Sequence, residues 1–98
     1  MRRGPLSVVY LAEDGSDAIR VAYAITKRVG GAVDRNRVRR RLRAVLHELA
    51  SEPGGLVPAG ALLVSAGPEV VQRNPEELRN DVQRLLEALD ARIAGSST

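Results

Sequence analysis

TKRVGGAVDRNRVRRRLR, residues 26–43, joins two different hydrophobic periods, and the fold follows from that junction. Just before it, Ile19, Val21, Tyr23 and Ile25 alternate with Arg20, Ala22 and Ala24. That period-2 pattern predicts a strand with one apolar face. After the junction, Val38, Leu42, Val45, Leu46 and Leu49 recur at helical spacing, so a helix is predicted from about Val33 to Ala50. Gly30-Gly31 marks the break between the two elements, and Pro53-Gly54-Gly55 ends the helix. Asp34 falls in the first turn, where a carboxylate complements the helix dipole.

The same stretch holds most of the charge asymmetry. It carries eight basic residues (Lys27, Arg28, Arg35, Arg37, Arg39, Arg40, Arg41 and Arg43) against the single acid Asp34. The local charge is therefore +7, and the rest of the chain carries −4 of the overall +3. A solvated helix face normally mixes both signs; this one does so only through Asp34. A weakly acidic body with one concentrated basic segment points to a polyanion, nucleic acid first. At 100° per residue, Arg37, Arg39, Arg40, Arg41 and Arg43 fall outside the apolar stripe. Arg35 projects nearer to it and is expected to bend its long stem outward. Asn36, between two arginines, adds a neutral donor and acceptor suited to sugar hydroxyls or base edges.

Upstream, residues 6–12 (LSVVYLA) are rich in β-formers and predict a second strand. Asp14-Gly15 within a turn cluster predicts that this strand and residues 19–25 pair as a hairpin. Downstream, residues 61–66 (ALLVSA), bounded by glycines, read as a buried strand. Asn74-Pro75-Glu76-Glu77 carries the signature of a capped helix start. Leu78, Val82, Leu85, Leu86, Leu89 and Ile93 form that helix's apolar stripe, and its outer face is an ordinary mixture of charges. Residues 95–98 read as a disordered tail after a single domain over 1–94. The order strand, strand, helix, strand, helix predicts an α+β fold: a small sheet with helices packed on one face and the other face open beside the basic helix.

Several function classes drop out. There is no Cys, which removes disulfides, thiolate metal sites and a Cys nucleophile. No apolar run reaches the roughly 18 residues of a membrane span, and Leu6–Ala12 is too short for a signal peptide core. His47 is the only His, and Glu48 beside it cannot face it on a helix. No nucleophile elbow, phosphate-binding loop or metal-spaced cluster is present. The catalytic and metal-ligating sets are therefore expected to be empty, and no small-molecule ligand or membrane partner is indicated.

Residues 32–40, AVDRNRVRR, led by Lys27-Arg28-Val29-Gly30, resemble the signature of the bacterial ribonuclease P protein family. The family pattern runs approximately Ser-Lys-Lys-(Ile/Val)-Gly-Asn-Ala-Val-x-Arg-Asn-Arg-(Ile/Val)-Lys-Arg. Lys27 and Arg28 match the first basic pair, Arg35-Asn36-Arg37 is the intact core, and Arg39 and Arg40 match the second basic pair. Gly31 departs from the pattern, standing where the family usually has Asn. The order of elements agrees from about Leu6 to Leu89.

The resemblance implies a fold like the second domain of ribosomal protein S5, with a left-handed β-α-β crossover. It implies a cytoplasmic, RNA-binding subunit that is not itself catalytic. Its RNA partner would cleave the 5′ leader from precursor tRNA, with Mg²⁺ held by that RNA and the substrate. The RNA-binding residues it implies, together with the rest of the basic helix, are Lys27, Arg28, Arg35, Asn36, Arg37, Arg39, Arg40, Arg41 and Arg43. Family members usually carry a further N-terminal helix lining a cleft for the leader; this sequence starts close to where that segment normally ends, so it reads either as a form lacking the helix or as one whose true start lies upstream. Tyr10 matches an aromatic on the sheet side of that cleft, or alternatively packs as an ordinary strand aromatic. The rival readings are a ribosomal or RNA-chaperone-like module without a processing role, a helical DNA-binding protein and, last, a stand-alone nuclease.

Overall fold

Five elements form in the order the periodicities require, together with a short edge strand that they do not announce. The computed structural model describes residues 1–12, 19–51 and 59–96, the last three of these by backbone alone. Strand β1 is Arg2–Arg3, β2 Leu6–Leu11 and β3 Ile19–Ile25; helix α1 is Ala32–Ser51, β4 Gly60–Ala66 and α2 Pro75–Ser96. Short 3-10 turns at Lys27–Val29 and Pro68–Gln72 precede the two helices. Gly95 and Ser96, expected in the tail, are the last residues of α2.

The expected hairpin is not formed. The sheet order is β1-β2-β4-β3, so β4 lies between the two strands expected to pair. It runs antiparallel to β2, with Val8 opposite Val64, and parallel to β3, with Tyr23 opposite Val64. Asp14-Gly15 falls outside the described residues. The physical reason lies in β4. Leu62, Val64 and Ala66 are buried on one face, and the strand has backbone partners on both edges. A parallel β3–β4 pair needs a long connection, which α1 supplies. β4 is also not buried on both faces, since Leu63 is 40% exposed on the other side.

The alternation in all three long strands sorts the sheet into two faces. Leu6, Val8, Leu62, Val64, Ala66 and Ile25 are buried, and half-buried Tyr10, Val21 and Tyr23 flank them. Against this face pack Val38, Leu42, Val45, Leu46 and Leu49 of α1 and Leu78, Val82, Leu85, Leu86 and Leu89 of α2. Both helices therefore cover the same face. The chain has two Tyr and neither Phe nor Trp, so the core is aliphatic, with Leu42 and Leu49 fully inaccessible. The opposite face presents Val9, Leu11, Leu63, Ala22 and Ala24, with Val9 61% and Leu11 65% exposed.

The start of α2 is fixed by a reciprocal cap. The Glu77 backbone N–H donates to Asn74 Oδ1 at 2.8 Å, and the Asn74 N–H donates to Glu77 Oε1 at 3.1 Å. Arg73 braces the same corner, meeting Glu77 at 3.3 Å and the largely buried Asp81 at 3.3 Å.

Candidate nucleic-acid interface

The glycine pair ahead of α1 does two different jobs. Gly30 has φ 149 and ψ −162, a region closed to side chains, and an added Cβ would lie 2.6 Å from Asp34 Oδ2. Gly31 has open space around it, with no atom within 4 Å of an added Cβ. Gly30→Ala should therefore cost at least about 1 kcal/mol of stability. Gly31→Ala and Gly31→Asn should leave the thermal midpoint nearly unchanged; equal losses at both positions would contradict this assignment. The same geometry places the Asp34 carboxylate back over the turn. The N-terminal end of α1, where the helix dipole favours an anion, thus already holds a negative charge.

The basic residues fall into distinct groups. Lys27 and Arg28 are exposed on the 3-10 turn, which is pinned by buried Val29 and by the Val29 N–H donating to Thr26 O at 3.0 Å. On α1, Asn36, Arg39, Arg40 and Arg43 line one groove of about 570 Å³ together with Val33, which is 71% exposed. Among the described residues, no carboxylate lines it. Arg39 Nη1 donates to Asn36 Oδ1 at 2.8 Å, which leaves the Asn36 amide group as a donor toward solvent. The Arg43 guanidinium lies 5.9 Å from the centroid of the Tyr23 ring on β3. Burial pushes the Tyr23 phenol up, while the adjacent Arg43 pulls it partly back through its charge and a hydrogen bond. Arg37, exposed, and Arg41, half-buried, are one helical turn apart and sit on the other flank of the helix's solvent arc.

Arg35 differs from the expectation. It is half-buried, and its Nε is inaccessible to solvent and without a hydrogen-bond partner among the described residues. Its position beside the apolar stripe holds the inner part of the side chain against the core.

Tyr10 is not joined to this group. It lies on the helix-covered face of β2, half-buried, and donates its hydroxyl to Ala59 O at 2.7 Å. Gly60 sits beneath it: a Cβ there would meet the Tyr10 ring at 3.0 Å. Tyr10 lines a separate cavity of about 540 Å³ with Met1, Val8, Leu89, Arg92 and Ile93. Its neighbour Val9, which alternation turns to the open face, escaped notice because it carries no aromatic signal.

His47 is exposed, and Glu48 pairs with Arg79 of α2 at 3.4 Å. Among the described residues there is no cluster of three or more metal-ligating side chains. Among them, no helix is long and apolar enough to cross a membrane.

A small mixed sheet with two helices on one face, and an arginine-rich helix that connects two parallel strands, define an α+β protein with one concentrated basic surface. The family model for ribonuclease P matches residues 1–90, and the chain belongs to the ribonuclease P protein component family. The ribonuclease P protein component of Beutenbergia cavernae is 40% identical over 79 residues, covering 81% of this chain and 64% of that protein. That of Thermus thermophilus is 43% identical over 68 residues, covering 69% of this chain and 38% of its own length. The chain thus spans less than two thirds of these relatives. Among solved structures, the Staphylococcus aureus RNase P protein superposes with a TM-score of 0.79 at 19% identity, covering 91% of this chain and 78% of that one. The Thermotoga maritima protein gives 0.74 at 19% identity, covering 90% and 80%. These neighbours have the same fold.

Proposed function

We propose that this chain is the RNA-binding protein subunit of ribonuclease P, acting in the cytoplasm with a catalytic RNA that removes the 5′ leader from precursor tRNA. The observation that carries this reading is the groove of Asn36, Arg39, Arg40 and Arg43, which contains three cations and, among the described residues, no acid. Guanidinium groups give phosphate two parallel charge-assisted hydrogen bonds, and a carboxylate-free groove keeps that charge available. Lys27, Arg28, Arg37 and Arg41 extend the basic surface along the turn and the second flank. The ribonuclease P RNA is assigned to this surface.

The precursor's single-stranded leader is assigned to the open sheet face. Val9, Leu11 and Leu63 offer an aliphatic floor on which bases can lie, on the sheet face opposite the two helices. Contact there is sequence-tolerant, because an aliphatic surface offers no hydrogen-bond readout. Tyr10, which the family resemblance tied to the leader, reaches it in this reading only if the leader bends round the β2 edge toward α2. The protein's own residues supply binding and orientation, while Mg²⁺ belongs with the RNA and the substrate.

The test is reconstitution. A ribonuclease P RNA transcript is mixed with a 5′-extended precursor tRNA at limiting Mg²⁺, with and without this chain. The chain should accelerate cleavage at the mature 5′ end, and the chain alone should not cut. Correct cleavage by the RNA-free chain, or no acceleration at saturating chain, would refute the reading.

A further inference from the structure

Two arginines in the groove on α1 are held from behind, by different means. Arg39 is tied to Asn36, one turn back on its own helix. Arg43 is tied across elements, to Tyr23 of the edge strand β3. Tyr23 faces the helices, is half-buried, and is one of only two aromatic residues in the chain. At 5.9 Å from the ring centroid, the guanidinium is within the range in which a cation is attracted to the ring's negative face.

A free arginine has many rotamers, and fixing one on binding costs entropy. The ring meets that cost in advance. It contacts the guanidinium without neutralising it, so the charge stays available to a phosphate. A carboxylate in the same place would hold Arg43 equally well and cancel it.

We infer that Tyr23 is a positioning residue of the RNA interface: its ring holds the Arg43 guanidinium at the groove on α1, ready for a backbone phosphate. This rests on the proposed RNA-binding role of α1. Tyr23 itself need not touch the RNA. It acts through Arg43, and its contribution should vanish when Arg43 is absent.

A double-mutant cycle on the full chain tests this, with filter binding to a ribonuclease P RNA transcript at fixed salt and Mg²⁺. Tyr23→Leu should weaken binding about 2- to 5-fold, the worth of one cation–π contact at an exposed site. Tyr23→Phe, which keeps the ring but loses the hydroxyl that Arg43 also meets, should restore part of the affinity lost in Tyr23→Leu. In the Arg43→Ala background, Tyr23→Leu should have no further effect. Any loss of folding caused by Tyr23→Leu is present in both backgrounds, so the cycle separates packing from positioning. Additive losses in the double variant, or an Arg43→Ala variant that binds as wild type does, overturn this inference alone. A wild-type chain that does not bind the transcript overturns both it and the proposed function.

Discussion

Arg37→Ala and Arg40→Ala should each weaken binding to the ribonuclease P RNA by about 1–3 kcal/mol, roughly 5- to 150-fold. Both side chains are exposed, on α1 just after the Gly30-Gly31 turn, and they lie on the two flanks of its solvent arc. Arg40 lines the groove with Asn36, Arg39 and Arg43, whereas Arg37 does not. Comparing the two therefore maps which flank carries more of the RNA. Arg→Lys should recover only part of each loss, because the charge survives while the planar fork does not. Thermal midpoints should hardly move in any of these variants. Arg35→Ala is a less clean probe, since its half-buried stem adds a packing loss to any lost phosphate contact. Arg84→Ala, exposed on α2 in a mixed-charge setting, is the control. Equal losses at Arg84 and Arg40 would mean that only total charge matters.

Leu42→Ala should destabilise the fold by about 2–5 kcal/mol. Leu42 is fully inaccessible and lies in the apolar stripe of α1, within the core shared with the sheet and α2. Removing its side chain leaves a cavity in a core whose fully buried members are all aliphatic. A domain of this size is stable by only about 5–15 kcal/mol, so the midpoint in urea should fall far. Saturating RNA should recover part of the lost midpoint by mass action, to the extent that it binds the folded chain more tightly than the unfolded one. The arginine variants should show the opposite pattern, with a normal midpoint and a weaker RNA-induced rise. A Leu42→Ala chain with an unchanged midpoint would contradict the assignment of this core.

The sequence made some of these features legible and hid others, for physical reasons. Both helices could be read because an apolar stripe at helical spacing is a local signal repeated over many turns, and Asn74-Pro75-Glu76-Glu77 marked the start of α2 with side chains that bond to the adjacent backbone. The two faces of β3 were equally clear from alternation. Strand partners were not. The Asp14-Gly15 signal favours a hairpin locally, but β4, which begins 45 residues after Gly15, inserts between β2 and β3 and bonds to both. Pairing is a non-local choice that no window of sequence contains. β1 is two residues long, with Arg at both positions, and leaves no periodicity to find.

The site was legible as a basic cluster and not as a geometry. Spacing placed the arginines off the apolar stripe, but it could not tell that Asn36 would restrain Arg39 or that Tyr23 would lie under Arg43. Tyr10 drew attention as an aromatic on a strand, whereas its side chain faces α2 and Val9 occupies the open face. The parity of a strand is fixed by which of its faces the helices cover, and that is decided by the rest of the fold.

The central claim is that the arginine surface of α1 binds RNA mainly through backbone phosphates, and its most direct test is the salt dependence of binding. Each neutralised phosphate contributes about −0.7 to −0.9 to the slope of log affinity against log salt. With about five of the basic residues between Lys27 and Arg43 engaged, the slope for the ribonuclease P RNA should be near −4. A slope flatter than about −1 would contradict the claim, because contact through the arginine surface cannot be so insensitive to salt.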